Sequence, residues 1–291
     1  MERFEGRLAV VTGGGSGMGR ELARQLAAEG CHVAMCDLSD ASLAETRALC
    51  LAGAPDGTMV SAHRCDVSDE ADVDAFRDAV VAAHRRDHVH LVFNNAGIGG
   101  GGSFVAGSRD DWEKTFAVCW YGVYYTSRAF VPLLVNADEG HLINTSSVNG
   151  FWASIGTTRA HTAYAAAKFA VKGFSEALIT DLRLNAPHVK VSVVMPGHIG
   201  TSISLNTIAV LGHEVDASVT ERAVAFRNNA PTTAEQAATI ILDGVRAGRW
   251  RILVGDDAHV LDSMVRDTPE DAYEEAFLDQ MRANRVLDAL S

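Results

Sequence analysis

Seven short apolar runs, several rich in valine, recur from Leu8 to about Val254, and longer amphipathic segments fill the intervals between them. The runs are Leu8–Thr12, His32–Cys36, Thr58–His63, His90–Phe93, His141–Thr145, Lys190–Met195 and Arg251–Val254. Alternation of this kind marks βα units around a parallel sheet. The runs are mostly continuous in hydrophobicity, as strands covered by helices on both faces must be. The sequence therefore predicts an α/β fold, a three-layer, doubly wound parallel sheet of about seven strands. Helix starts are signalled by Ser39 and Ser68 as N-caps, by Ser108 with Asp111 as a near capping box, and by Thr232 or Thr233 ahead of Glu235.

Length and charge bound the rest. A chain of 291 residues with no long Pro/Gly/Ser linker and no internal repeat favours one continuous domain. Its 37 acidic against 25 basic residues give a formal net charge of −12. That balance argues against nucleic acid or an anionic membrane surface as a partner. No apolar run approaches the roughly 20 residues needed to span a bilayer. The N-terminal stretch is charged where a signal peptide would be apolar, so a cytoplasmic protein is expected. The five cysteines form no CxxC pair and read as reduced, buried thiols. No histidine lies at ligand spacing from a cysteine or in an HExxH frame, so no metal site is expected.

Two stretches fit the alternation poorly. Residues from about Thr201 to Asn229 are long for a connection and read as a functional lid, at about 200–230. After Thr268 the chain runs Thr-Pro-Glu and then places Tyr273, Phe277, Met281 and Val286 at near-helical spacing. The division expected is a nucleotide-binding domain over 1–267 and a C-terminal helical extension over 268–291, packed on the body or on a neighbouring subunit.

The first strand runs straight into Thr12-Gly13-Gly14-Gly15-Ser16-Gly17-Met18-Gly19 and then a helix over Arg20–Glu29, with Leu22, Leu26 and Ala27 facing inward. Glycines there allow a tight turn and close approach to a pyrophosphate, whose charge the helix N-terminus holds. Asp37 closes the second strand 18 positions beyond Gly19. That is near the position of a carboxylate that bonds the adenosine ribose hydroxyls. As a bare N-cap it would be redundant with Ser39 or Asp40. A carboxylate here repels a 2′-phosphate, and neither Ser16 nor Leu38 supplies a cation, so NAD is favoured over NADP.

At these residues the chain resembles the short-chain dehydrogenase/reductase family, over nearly all of residues 6 to 255. The family's pieces occur in its order: the Thr-Gly-x-x-x-Gly-x-Gly turn at 12–19, Asp66-Val67 after strand three, Asn94-Asn95-Ala96-Gly97 after strand four, Ser147 after strand five, Tyr164-x-x-x-Lys168, and Pro196-Gly197 followed by Thr201. The resemblance implies a single Rossmann-type domain and an NAD-dependent enzyme acting on a CH–OH group. It implies catalytic Ser147, Tyr164 and Lys168. It also implies a cofactor site of Gly13, Ser16, Gly17, Met18, Gly19, Asp37, Leu38, Asp66, Val67, Asn94, Ala96, Gly97, Tyr164, Lys168, Pro196, Gly197, Ile199 and Thr201. Asp66 and Val67 would meet the adenine, and Ile199 and Thr201 the nicotinamide amide. Asn94 and Asn95 either line the cofactor trough or tie neighbouring strands together.

The residues argue part of this themselves. Tyr164 and Lys168 are four apart and share one helix face. An ammonium near a phenol lowers a pKa that is roughly 10 when unperturbed, making the tyrosine a general base toward an alcohol or acid toward a ketone. Ala165-Ala166-Ala167 between them suggests close packing. Ser147 is implied to hydrogen-bond the substrate oxygen, with Ser146 the neighbour that could be misassigned. One departure stands out: Cys119 occupies the position where the family usually carries asparagine. A thiol is a poor hydrogen-bond partner, so a water relay behind Lys168 would depend on backbone carbonyl.

The interval from Ser147 to Tyr164 is 17, longer than is usual in the family, which predicts an extended wall to the substrate pocket. That wall holds Phe151, Trp152, Ile155, Thr157, Thr158, Arg159, Ala160 and His161. Trp152 with Ile203, Leu205, Ile208 and Leu211 of the lid suggests an apolar pocket for a bulky secondary alcohol or ketone, steroid-, terpene- or acyl-like. Family members commonly form tetramers, and Trp120, Tyr121, Tyr124 and Phe174 suit such contacts, so a homotetramer or homodimer is expected. Two other readings stay open: an NADP(H)-dependent carbonyl reductase of the same family, and a nucleotide-binding regulator that keeps the fold without the chemistry.

Overall fold

All seven strands form, and a computed structural model of the chain joins them in one sheet with every neighbouring pair parallel. The structure describes residues 1–154, 160–214, 216–284 and 286. The strands are β1 Leu8–Thr12, β2 His32–Asp37, β3 Val60–Arg64, β4 Leu91–Asn94, β5 Gly140–Thr145 and β6 Val189–Pro196. Two short strands not legible in the sequence, β7 Ile199–Gly200 and β8 Thr232–Thr233, pair with each other, and β9 Arg251–Val254 completes the main sheet. The order is β3-β2-β1-β4-β5-β6-β9. The chain therefore reverses direction across the sheet between β1 and β4, and in such sheets ligands bind at the carboxyl ends of the strands beside that switch point.

Helices cover both faces. They are α1 Gly17–Ala28, α2 Asp40–Gly53, α3 Glu70–His84, α4 Arg109–Phe116, α5 Gly122–Val135 and α6 Thr162–Asn185. They continue as α7 Ile203–Leu211, α8 Ala217–Asn228, α9 Ala234–Arg246, α10 Asp256–Asp267 and α11 Glu275–Ala283. Because side chains alternate along a strand, Ala9 and Val11 pack on one face with Leu22, Leu26, Ile241 and Leu242. Leu8 and Val10 pack on the other with Val73, Phe76, Phe130 and Leu182. Full burial of a side chain of this size contributes roughly 1.5–3 kcal/mol. All five cysteines are unpaired and buried. Among the described residues no helix is long and apolar enough to cross a membrane.

Local signals are kept in some places and displaced in others. Ser39 caps α2 and Ser108 caps α4, each accepting the N–H three residues on. Ser68 does not cap α3, because its hydroxyl is spent on the Asp66 carboxylate at 2.6 Å. Asp69 accepts the Ala71 and Asp72 amides in its stead. Thr233 caps α9 in a reciprocal box with Gln236, not Glu235. The first helix starts at Gly17, three residues before the expected Arg20, and ends at Ala28.

In the extension the helix begins later than the Thr-Pro-Glu start implies. Pro269–Asp271 make a single 3-10 turn, Tyr273 lies exposed beyond it, and the helix proper begins at Glu275. Ala272, Phe277, Met281 and Val286 then form a third apolar cluster with Val148, Trp152, Ala258 and Leu261. Trp152 is fully buried there, its indole N–H donating to the Ala272 carbonyl at 2.7 Å. The expected wall residue is therefore the anchor of the C-terminal segment, since a large ring with one polar atom is best placed where that atom finds a partner.

Among the described residues four histidines, His84, His90, His141 and His198, are buried, and burial is the first cause lowering the pKa of each. Burial first, then nearby His32, Arg86 and His63, pulls His84 down to about 4. Burial and Arg7 do the same to His90, also to about 4, and its Nδ1 accepts the Leu8 N–H at 3.1 Å. Burial pulls His141 to about 3. The unfolded chain takes up protons near 6.5 while the folded chain refuses them until about 4 or below, so stability falls as pH drops through that window. We expect the thermal midpoint to fall between about pH 7 and about pH 5, with a shallower decline in His84→Asn, measured by circular dichroism.

Candidate active site

The carboxyl ends of β1, β2 and β4 open into a cavity of about 510 Å³. Its walls include Gly13, Ser16, Gly17, Met18, Asp37, Leu38, Asp66, Val67, Ala96, Gly97 and Thr201, eleven of the residues that the motifs single out. The turn after β1 closes tightly onto the start of α1 because Gly19 has no side chain: a Cβ there would overlap the Gly13 carbonyl. Gly17 and Met18, the first residues of α1, line the cavity, and a helix N-terminus there suits an anion. Asp37 is fixed at the far edge, where Gly15 N–H donates to one carboxylate oxygen at 3.0 Å and Ser39 N–H to the other at 3.2 Å.

A polar network ties the strand ends together. Thr12 Oγ1 accepts the Asn95 and Ala96 amides, each at 3.0 Å, and the Asn95 side chain donates to the Thr12 carbonyl at 3.1 Å. Asn94 turns away from the cavity: its Nδ2 donates to Asn144 Oδ1 at 2.8 Å and to Ser127 Oγ at 3.0 Å. Asn144 in turn donates to Ser175 of α6 at 3.0 Å. Of the two readings of Asn94, the structure gives its side chain the strand-tying one.

The three groups of the expected acid–base chemistry, Ser147, Tyr164 and Lys168, are not in this cavity wall; they lie behind it, where a Cβ at Gly97 of the wall would come within 3.6 Å of Lys168 Nζ. The start of α6 is set by Thr162 and Ala163 amides donating to the Gly102 and Gly101 carbonyls at 3.0 and 3.1 Å. Tyr164 follows, in hydrogen bond with Ser147, whose hydroxyl also accepts the Asn149 N–H at 3.1 Å. Lys168, one turn on and 3% exposed, donates to the Thr145 carbonyl at 2.8 Å, with Nζ 5.3 Å from the Tyr164 ring centre. Ser146 is spent elsewhere, donating to the Lys168 carbonyl at 2.7 Å, which leaves Ser147 as the serine facing the phenol. Ala165 and Ala167 are buried as the close-packing reading requires, while Ala166 faces solvent.

The electrostatics correct one expectation. Desolvation pushes the Tyr164 phenol well above its ordinary pKa, the neighbouring Cys119 adds to this, and the Ser147 bond opposes it without prevailing. Desolvation likewise lowers Lys168. The phenol is raised, not lowered, because burial acts on both groups and outweighs an ammonium that sits over the ring at more than contact distance. Cys119 lies in a π-helical turn, Ala117–Tyr121, fully buried, with Sγ donating to the Ile98 carbonyl at 3.2 Å. Burial raises its pKa, so it rests as a thiol and not as a nucleophilic thiolate.

The lid folds as α7 and α8. Asn206 donates to Ser16 Oγ at 3.0 Å, Thr207 Oγ1 accepts the Gly99 N–H at 2.7 Å, and His213 meets Asp111 at 3.0 Å, so α7 spans the cavity mouth. Of the expected apolar lid residues only Ile203 lines the cavity, joined by Ala209 and Val210. The pocket-wall residues Ile155, Thr157, Thr158 and Arg159 lie outside the described residues. Pro196, Gly197 and Ile199 form the turn beneath Thr201 and are not in the cavity wall. Lys114, which no spacing rule singles out, is in that wall and donates to both Asp66 and Ser68 at 2.9 Å. Burial raises the Asp66 carboxyl, but the bonds from Ser68 and Lys114 hold it below the usual carboxylate range.

Known proteins share this arrangement. The family model described as short chain dehydrogenase matches residues 7–209. A protein of Mycobacterium tuberculosis described as an oxidoreductase, SadH, is 37% identical over 268 residues, 91% of this chain and 92% of that protein. A short-chain dehydrogenase/reductase from Burkholderia phymatum, solved in complex with NAD, superposes with a TM-score of 0.79 at 33% identity, covering 93% of this chain and 95% of that one. A metagenomic short-chain oxidoreductase, solved in complex with NADP, superposes with a TM-score of 0.59 at 30% identity, covering 74% of this chain and 94% of that one. With its seven-stranded parallel sheet, its glycine turn and these relatives, the chain belongs to the short-chain dehydrogenase/reductase family and is an oxidoreductase of that family.

Proposed function

We propose that the protein is an NAD(H)-dependent oxidoreductase that interconverts a secondary alcohol and a ketone, with Tyr164 as general acid and base. The observation that carries this reading is the cluster of Ser147 hydroxyl, Tyr164 phenol and Lys168 ammonium, with Lys168 behind the Gly97 wall of a cavity that Asp37 also lines. A nicotinamide coenzyme, when bound, supplies or accepts the hydride. The chain's own groups handle the proton: Ser147 holds the substrate oxygen, and Tyr164 Oη gives it a proton in reduction or takes one in oxidation. Lys168 keeps a positive charge beside the phenol, which stabilises the phenolate when it forms.

The residues present fit the coenzyme. A glycine turn that only a residue without Cβ can make, a helix N-terminus beyond it and a fixed carboxylate at the ribose position fit a pyrophosphate-linked adenosine. Among the described cavity-lining residues the cation is Lys114, and it is engaged with Asp66 and Ser68, away from Asp37. No lining cation therefore stands beside Asp37 to receive a 2′-phosphate, and this supports NAD over NADP. The apolar side chains that α7 turns to the cavity, Ile203, Ala209 and Val210, support a bulky apolar substrate of the steroid, terpene or acyl kind. Trp120 stacks on Tyr124 and meets Phe174 edge-on, and the exposed Tyr121 and Tyr124 beside them support assembly of a homotetramer through α5 and α6.

Three outcomes follow. Tyr164→Phe should cut turnover by about 10²-fold or more while NADH affinity, followed by nicotinamide fluorescence, stays nearly unchanged; full activity in that variant would remove Tyr164 from the mechanism. Since burial raises the phenol, the protonated form is the resting one: ketone reduction should hold steady through neutral pH, and alcohol oxidation should climb as pH rises toward the phenol's ionisation. Asp37→Ala should weaken NAD by roughly 10-fold or more, as expected for losing hydrogen bonds to a charged group, and should narrow the gap to NADP. A preference of the unaltered protein for NADPH would overturn the role of Asp37.

A further inference from the structure

The turn after β6 is held from behind by a residue some sixty positions away. Asp257, in the first turn of α10, is 8% exposed and does not line the cavity. One carboxylate oxygen accepts the N–H of Ala258 at 3.0 Å, the ordinary work of an acidic residue at a helix start. The other reaches out of the helix and accepts the main-chain N–H of His198 at 2.6 Å. The turn closes directly onto this carboxylate, because a side-chain carbon at Gly197 would fall inside it. Gly197 N–H is also bonded to the Val254 carbonyl at 3.0 Å, so the turn is pinned to β9 on one side and to α10 on the other. His198 carries the connection onward. Its Nε2 lies 2.7 Å from the Phe226 carbonyl and its ring centre 4.2 Å from that of Phe226, both in α8 of the lid.

We propose that Asp257 is a positioning residue for the coenzyme: its buried carboxylate fixes the 196–201 turn, so that Ile199 and Thr201 meet the nicotinamide end, and couples that turn to α8. This rests on the proposed use of a nicotinamide coenzyme and on the family resemblance, which implies that Ile199 and Thr201 meet the nicotinamide amide. A bond from a main-chain amide to a carboxylate is stronger than one to a neutral oxygen, and an amide left unpaired in this setting carries a desolvation penalty. The position of the turn is thus set by α10, which also carries Ala258 and Leu261 into the cluster around Trp152 and the C-terminal segment. Asp257 touches none of the reacting groups and acts only through the turn.

The test compares NADH with ADP-ribose, which shares the adenosine and pyrophosphate but has no nicotinamide, on Asp257→Ala and Asp257→Asn. Hydrogen–deuterium exchange over residues 196–201 is followed in the coenzyme-free protein. In Asp257→Ala the His198 amide should exchange faster, and the NADH dissociation constant should rise about 10-fold, while that of ADP-ribose stays within about twofold. Asp257→Asn, which keeps an acceptor without the charge, should fall between, and Gly197→Ala should reproduce the NADH-selective loss by displacing the turn from its other side. Unchanged NADH affinity in Asp257→Ala would overturn the proposal. So would a parallel loss of both ligands, which is the signature of a general structural role. Failure of the unaltered protein to bind NADH at all would instead overturn the proposed function on which this rests.

Discussion

The ammonium of Lys168 is taken almost wholly out of water, and the architecture of the site follows from that. Removing a charge from solvent is costly unless fixed polar partners replace the water. Here the Thr145 carbonyl at the end of β5 is one such partner, and the Ser146 hydroxyl bonds the backbone of Lys168 itself. These contacts lock α6 to the carboxyl edge of the sheet. Tyr164, one turn earlier, is thereby held in place, and Ser147, adjacent to Ser146 in the chain, is brought onto the phenol. The same burial that makes the geometry rigid raises the phenol and lowers the ammonium, so the pair rests nearly as an uncharged acid beside a weakened cation.

Much of this was legible in the chain because it depends on local order. Leu8–Thr12 and Arg251–Val254 coincide with β1 and β9, since apolar runs flanked by glycine or polar turns admit few other strand boundaries. The glycine turn, Asp37, Ser147, Tyr164 and Lys168 each sit at a strand end or on one helix face, where spacing alone brings residues together. The strands β2, β3 and β6 differ from expectation only by a residue or two at their ends, where hydrogen bonding and not hydropathy sets the limit.

What could not be read depends on contacts between distant segments. Trp152 looks from its neighbours like a pocket wall, and only the Ala272 carbonyl, 120 positions on, shows that it is the seat of the C-terminal segment. Ser68 has the sequence of an N-cap, but a tertiary competitor, Asp66 with Lys114, takes its hydroxyl. The direction of the Tyr164 shift is of the same kind: helical spacing puts an ammonium near the phenol, whereas the degree of burial is a property of the assembled protein. Lys114 and Asp257 carry no motif at all, because their roles lie in what α4 and α10 are packed against.

The central claim is that this cavity transfers hydride between a carbinol carbon and a nicotinamide. Its most direct measurement is to incubate the protein with NAD and a panel of aliphatic, alicyclic and steroidal secondary alcohols carrying deuterium on the carbinol carbon, and to analyse the reduced coenzyme for label. The account predicts deuterium in the reduced nicotinamide for at least one bulky alcohol. NAD bound without reduction across the panel, or reduced coenzyme formed without label, would contradict it.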